Sequence, residues 1–349
     1  MYKMKSRKLY LDILRIVAIF LVLYTHISAD GLRLYTSSEV LAVQITYLFI
    51  DCFRTINNPL LFMVSGVLLL GKEECISDVW KKRVLRFVVV LVVFSYIHVI
   101  DNCLQNSDFG SFDAGRTLIS ILNSPVRTSY WYLYSYISFL IMLPFLRMIA
   151  KEIRLKDAIY LLIVSTMALD GFRILRTLLG ISRVNIAVYF CEMTILYPLL
   201  GYAIDKWWDE IPGKKIKYVI LGVISVAGLL LAMVMTVREH SLTQTWSENW
   251  ITLFNTYAAC LVFVVIRKMG EALQNKNGVS RVIRFLSSTM FGIYLLENIF
   301  RRWTRPLYLL FYSIMPVFPA ICLWIVSIMI IGNIMIGLLK CIPGIKEYI

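Results

Sequence analysis

Two residues that could carry chemistry lie within the first apolar segment of the chain, LYLDILRIVAIFLVLYTHIS. They are Arg15 and His26, and Asp12 precedes the arginine by one helical turn. A charge near the centre of a spanning helix costs roughly 2.5–3.5 kcal/mol on insertion scales, so such residues usually face a bundle interior or a water-filled cavity. The three side chains are therefore candidates for chemistry inside the membrane.

The spacing of Arg15 and His26 predicts that they share one face of a helix. Eleven residues at about 100° each return to within about 20° of the same face and separate the two side chains by about 16.5 Å along the axis. An imidazole in a membrane cavity can act as a general base near neutral pH. Two simpler interpretations stay open: Arg15 snorkels while paired with Asp12, and His26 bonds a neighbouring helix. The shared face favours a functional role.

The elements that position these residues are apolar helices. The chain is 59% hydrophobic and 17% charged, against roughly 45–50% and about 25% in soluble domains, which excludes a soluble enzyme. Near-spanning apolar segments recur along the chain. They cover residues 9–28, 45–70, 85–100, 130–149, 157–170, 186–204, 217–236, 249–266, 285–300 and 318–339. Residues 1–349 are predicted to form a single all-α bundle of about ten transmembrane helices, with no soluble domain.

The basic residues predict the orientation of this bundle. About two thirds of the 36 lysines and arginines fall on one side, which the positive-inside rule assigns to the cytoplasm together with both termini. All lysines, from Lys3 and Lys5 onwards, lie on that side, whereas the outer side carries arginine only. The net charge of +14 therefore reflects topology, not nucleic-acid binding. The outer arginines could contact lipid headgroups or hold anionic or polyhydroxyl ligands. The seven cysteines form no CxxC pair, and neither a disulfide nor a metal site is predicted.

Several segments, in order along most of the chain, resemble acyltransferase family 3, membrane proteins that acylate cell-surface carbohydrates. The pattern Arg15-x10-His26 in the first helix is similar to the family's signature. An Arg-x-x-Arg motif, Arg83 and Arg86, follows the second span on the inner side. Three further segments are similar to family helices: NNPLLFMVSGVLLL (57–70), SYWYLYSYISFLIMLPFLR (129–147) and SSTMFGIYLLENIF (287–300).

The resemblance implies an O-acyltransferase of the cytoplasmic membrane, in a bacterium. The expected donor is acyl-CoA, with acetyl the favoured acyl group, as a co-substrate and not a permanently bound cofactor. The expected partners are membrane lipid and a cell-surface carbohydrate acceptor, with no nucleic acid. His26 would take the proton of the acceptor hydroxyl or briefly carry the acyl group. Arg15, with Asp12, would line the donor path, and Arg83 and Arg86 would hold the donor phosphates.

Four further residues are expected to line the pocket: Ser65, Trp131, Tyr132 and Glu297. Many relatives have histidine at the position of Glu297. The glutamate could pair with Arg301, which is the favoured interpretation, or polarise a catalytic group. His98 and Glu192 are interpreted as polar residues with structural partners. Two other functions stay open: an exporter or flippase for a polysaccharide or small solute, and, less favoured, a sensory membrane module.

Overall fold

The computed structural model describes residues 7–29, 33–36, 38–110, 112–181, 184, 186–213 and 215–348, so Lys3 and Lys5 lie outside the described part. The described chain is all-α, and the predicted fold class is confirmed. Its α-helices are α1 Leu9–Ala29, α2 Leu41–Arg54, α3 Asn57–Leu69, α4 Ile76–Val79, α5 Leu85–Asn106, α6 Ala114–Asn123, α7 Trp131–Glu152, α8 Leu155–Thr166, α9 Phe172–Leu179, α10 Met193–Trp207, α11 Ile216–Thr243, α12 Asn255–Leu273, α13 Asn277–Trp303, α14 Arg305–Ile314 and α15 Val317–Leu339.

Within the described residues, eight helical segments are long and apolar enough to cross a membrane. They are Leu9–Ile27, Leu41–Leu69, Ile76–Asn106, Thr128–Glu152, Leu155–Leu179, Ile216–Thr243, Asn277–Trp303 and Val317–Leu339. The other two predicted segments, 186–204 and 249–266, largely coincide with α10 and α12. Helix α10 has only 15 residues, whereas α12 carries Arg267, Lys268 and Glu271 near its end. Ten spans and cytoplasmic termini stay predictions.

Two spans contain π-helical turns. Trp80–Val84 joins α4 to α5, and Met167–Gly171 joins α8 to α9, so each pair forms one long segment. A π-turn inserts an extra residue into the helical repeat and changes the direction of the side chains that follow it. The first of these turns contains Arg83 and precedes Arg86. It therefore affects where the two arginines of the Arg-x-x-Arg motif point.

Helix α1 lies at the centre of the bundle, where it packs against α3, α12 and α13. Helix α3 packs closely on α10, and two glycines allow this approach. A Cβ at Gly66 would overlap the backbone of Pro198, and a Cβ at Gly201 would overlap the backbone of Met63. Since no side chain separates the two helices here, their backbones are in direct contact. Ser65, next to Gly66, is thereby held in the wall of a cavity.

Candidate active site

The N-terminal half of α1 holds a buried carboxylate that pairs with two arginines. Asp12 is fully buried and accepts hydrogen bonds from Arg7 Nε and Nη2 at 2.8 and 2.6 Å. Arg15 Nη1 donates to the same carboxylate at 3.0 Å, and Ser287 Oγ of α13 donates to it at 2.8 Å. The pairing of Arg15 with Asp12 is therefore present. It leaves the arginine oriented within the bundle.

Arg15 also borders a cavity of about 180 Å³ between α1, α3, α5, α7 and α13, here named the inner cavity. Its other polar lining residues are Ser65, Tyr132, Tyr136 and Tyr294. The remaining lining is apolar: Ile19, Leu61, Val64, Leu68, Phe87, Met290 and Phe291. A narrow space with mostly apolar walls and a few polar groups suits an uncharged chain with a polar end. The structure thus brings Arg15, Ser65 and Tyr132 together.

The outer half of α1 places His26 against α13. His26 Nδ1 lies 3.0 Å from Glu297 Oε1, and Glu297 is buried at 3% exposure. Arg301 donates to the backbone oxygen of His26 and to Asn298 Oδ1, both at 2.9 Å. The two atoms are close enough for an ion pair but are not aligned as a hydrogen bond. A proton on Nδ1 would be stabilised by the nearby carboxylate and would leave the lone pair on Nε2, as in a histidine base oriented by an acid. Glu297 thus contacts His26, the partner that the second interpretation of this glutamate requires, and also lies near Arg301, the partner of the first.

His26 and Glu297 line a second cavity of about 440 Å³, here named the outer cavity. Trp131 at the start of α7 lies in its wall, so the structure brings these three predicted residues together. Its other lining residues are Thr25, Arg127, Thr128, Ser129, Asn298 and Arg301. Hydroxyl, amide and guanidinium groups dominate this wall, in contrast to the inner cavity. Such groups can bond the hydroxyls of a polar acceptor.

The described residues lining the two cavities do not overlap, and Tyr294 lies at the boundary. Its ring lines the inner cavity, whereas its hydroxyl donates to the backbone oxygen of Ser129, a lining residue of the outer cavity, at 2.6 Å. Tyr132 and Trp131 are neighbours in sequence that face the inner and the outer cavity, respectively. The start of α7 and Tyr294 of α13 therefore lie next to both spaces.

The two arginines of the Arg-x-x-Arg motif have different surroundings. Arg83 pairs with Glu74 through both carboxylate oxygens, and Arg147 Nη2 donates to the same carboxylate at 2.8 Å. These hydrogen bonds, from Arg83 first, lower the pKa of Glu74 to about 2. The exposed Arg86 makes no hydrogen bond or ion pair with any residue that the structure describes. Arg83 is engaged in a structural ion pair, and Arg86 is open to a ligand.

Arg86 belongs to a group of positive charges on the predicted cytoplasmic side. Burial lowers the pKa of Lys340, and the nearby charges of Arg86, Lys346 and Arg7 lower it further. The Lys340 ammonium donates to the backbone oxygen of Ser288. Tyr136 of the inner cavity also lies within the electrostatic range of Arg86. The chain thus places several cations, with Glu347 near Arg86, beside one end of the inner cavity.

Several residues of these cavities were not singled out from the sequence. Arg127, Asn298 and Ser129 line the outer cavity, and Tyr136 and Tyr294 line the inner one. Tyr294 and Asn298 lie in the segment GIYLLEN, one turn from Glu297, so helical spacing could have identified them. His98 has a structural partner, as interpreted: its Nε2 lies 3.0 Å from the backbone oxygen of Leu295.

Comparison with known proteins gives a match to a protein family. A family model, acyltransferase family 3, described as an acyltransferase domain, matches residues 8–334, which is nearly the whole chain. No curated protein and no solved structure matches the chain. The matched region includes α1, both cavities and the Arg-x-x-Arg motif.

Proposed function

The chain belongs to acyltransferase family 3, and from this premise we propose that it transfers an acetyl group from cytoplasmic acetyl-CoA to a hydroxyl of a glycan outside the membrane. One observation carries the proposal. A single helix, α1, presents Arg15 to a small, mostly apolar cavity and, further along the helix, His26 to a larger cavity lined by polar residues. A donor from one side and an acceptor from the other can meet along such a helix.

On the donor side, the adenosine phosphates of CoA remain with the cations beside the inner cavity. Arg86 and Lys340 are the residues proposed to hold them, because guanidinium and ammonium groups bind phosphate oxygens strongly. Arg83 contributes less than the motif suggested, since Glu74 already occupies its guanidinium. The uncharged pantetheine arm then enters the inner cavity past Arg15 and carries the thioester towards Tyr294.

On the acceptor side, His26 acts as the general base. The acceptor hydroxyl attacks the thioester carbonyl carbon while its proton passes to His26 Nε2, and Glu297 stabilises the imidazolium through Nδ1. The carbon–sulfur bond breaks, and the proton goes on to the thiolate, which leaves as free CoA. A variant of this route has the acyl group rest briefly on His26 before transfer. In both routes the thioester must pass the boundary at Tyr294.

The test compares cells that produce the chain with cells that produce His26→Ala at matched protein level. The O-acetyl content of the surface polysaccharide should depend on His26, with a loss of about 10²–10⁴-fold in transfer rate, as expected for a general base. His240→Ala is the matched control, because His240 stacks on Trp246 away from both cavities. Full transfer by His26→Ala would rule out this chemistry.

A second measurement separates the enzyme from an exporter of related fold. The purified protein in liposomes should release free CoA thiol from acetyl-CoA when an acceptor glycan is present, and the release should require His26. Movement of a glycan across the liposome membrane without any consumption of acetyl-CoA would instead identify a carrier.

A further inference from the structure

A third cavity, of about 350 Å³, adjoins the outer cavity and shares Arg127, Asn298 and Arg301 with it. We name it the arginine cavity, because four arginines from three parts of the chain line it. Arg127 precedes α7, Arg301 and Arg302 end α13, and Arg305 begins α14. The proposed reaction uses neither Arg127 nor Arg305.

The positive charge of this cavity is only partly compensated by acids. Arg302 is paired with Asp101, with bonds of 2.8 and 2.6 Å. Arg127 instead donates to the neutral Asn102 Oδ1 at 2.6 Å, and its Nε is buried without a partner among the described residues. Arg305 is exposed and makes no hydrogen bond or ion pair within the described part of the chain. Two guanidinium groups are therefore available to an anion.

The electrostatics of Arg127 agree with this geometry. Burial lowers the pKa of its guanidinium, and the charges of Arg302 and Arg301 lower it further, against the opposing effect of Asp101. Clustered like charges destabilise one another, and a bound anion relieves the repulsion. The positive charge of the arginine cavity therefore favours the binding of a negatively charged group.

An aromatic wall completes the cavity. The rings of Tyr308 and Trp324 stack with centroids 4.7 Å apart, and Trp324 Nε1 donates to Thr304 Oγ1 at 2.8 Å, which fixes the indole. Flat aromatic faces pack against the carbon–hydrogen faces of sugar rings while leaving the sugar hydroxyls free. Arginines beside such a wall match a sugar that carries a negative charge.

Resting on the proposed function, we infer that the acceptor is an anionic glycan, whose carboxylate or phosphate is bound by Arg127 and Arg305 while a nearby hydroxyl reaches His26. The shared lining of the two cavities allows one sugar chain to occupy both. Guanidinium groups bind either anion bidentately, so the two chemistries share this site. The arginines determine which acceptors are used and are not catalytic residues.

The test measures binding of three probes to the full-length protein in lipid nanodiscs by calorimetry. Methyl glucuronide carries a carboxylate, glycerol phosphate carries a phosphate, and methyl glucoside is neutral. At least one anionic probe should bind about tenfold more tightly than the glucoside, with affinity falling as salt rises. The tighter of the two anionic probes identifies the anion.

Arg305→Gln should weaken that probe about tenfold and leave the glucoside unchanged, because one charge-assisted bond is lost. The matched control is Arg116→Gln, a strongly exposed arginine that is not among the described lining residues of the cavity and pairs with Asp113 at the start of its own helix. Arg127→Gln should have an equal or larger effect, and its thermal midpoint distinguishes lost binding from lost folding.

Equal binding of all probes, no binding of either anion, or the same result for Arg305→Gln and Arg116→Gln would overturn the inference. None of these outcomes depends on acyl transfer. Conversely, arginine-dependent anion binding by a protein that never consumes acetyl-CoA would leave this site standing and refute the proposed function.

Discussion

The inner and outer cavities border the same helix, α1, but differ in the polarity of the residues that line them. In the inner cavity aromatic and aliphatic side chains predominate, and its arginine is paired with a buried aspartate. In the outer cavity polar side chains predominate, and the adjoining arginines exceed their acidic partners. A membrane protein can thus receive the two substrates of a reaction in two cavities that differ in the polarity of their lining. In the proposed function, the apolar inner cavity suits the uncharged end of a thioester, and the polar outer cavity suits a sugar.

Among the substitutions that test this difference, one that fills the inner cavity should have the largest effect on acyl transfer. Ser65→Phe places a benzyl group in a space of about 180 Å³, and we expect acyl transfer to fall by about 10²-fold or more, since displacement of a reactant by about 1 Å can cost that much. The measurement is thiol release by the purified protein, with sugar binding as a second readout that should not change. Ser138→Phe on the exposed face of α7 is the control. Normal turnover in Ser65→Phe would mean that the donor does not use this cavity.

Removing the charge of Glu297 in the outer cavity tests whether this residue supports catalysis or only stabilises the fold. Glu297→Gln should lower kcat roughly 10- to 100-fold, as loss of a group that orients a histidine does in other sites, while the KM for the acceptor changes little. Glu297→Asp should recover part of the rate. If Glu297→Gln lowered the thermal midpoint and left kcat unaltered, the glutamate would have the structural role first favoured from the sequence.

Mutation of the two arginines of the Arg-x-x-Arg motif should have different effects. Arg86→Ala is expected to raise the KM for acetyl-CoA about tenfold, the equivalent of one lost phosphate contact, with an unchanged thermal midpoint. Arg83→Ala should mainly lower the thermal midpoint, because it removes a partner of Glu74. Both quantities are measured on the purified variants. Identical KM increases for the two would contradict the assignment of Arg83 to the Glu74 ion pair.

The smallest expected effect is the pH dependence of that ion pair. Since Arg83 and Arg147 lower the pKa of Glu74 from 4.5 to about 2, the charged glutamate stabilises the fold fully above pH 4.5. That contribution is lost as the pH falls from 4.5 towards about 2. Glu74→Gln should therefore unfold a few degrees below the parent near neutral pH. The two melting curves should converge on acidification, and a gap that persisted unchanged would disprove the linkage.

What could be predicted from the sequence followed from local periodicity. Helix α1 and the pairing of Arg15 with Asp12 depend on spacings within three turns, so one segment contains the whole signal. Each of the ten apolar segments overlaps a helix for the same reason, although 186–204 and 249–266 do so only in part. The favoured partner of Glu297 was also chosen by local spacing, one turn away at Arg301. The contact of Glu297 with His26 depends on how α13 packs against α1, and the periodicity of a single helix does not predict such packing.

The sequence also could not predict the different surroundings of Arg83 and Arg86, again because these depend on contacts between distant segments. The position of the motif predicted two equivalent phosphate ligands, but Glu74 lies in the loop before α4, and Arg147 comes from the far end of α7. A π-turn adds a change of direction that a regular repeat does not contain. The excess of arginine on the outer side was visible in the sequence, but its concentration around one cavity required the arrangement of α13, α14 and the residues before α7.

The backbone contact between α3 and α10 has a consequence for how this enzyme could change its acyl group. Gly66 and Gly201 hold the two helices at the closest separation that the main chain allows. On that side of the inner cavity the backbone of α3 therefore cannot move towards α10 to enlarge the space. In the proposed function, selection for a longer or shorter acyl chain then acts on the lining side chains, such as Ser65, Phe87 and Phe291, and not on the spacing of these two helices.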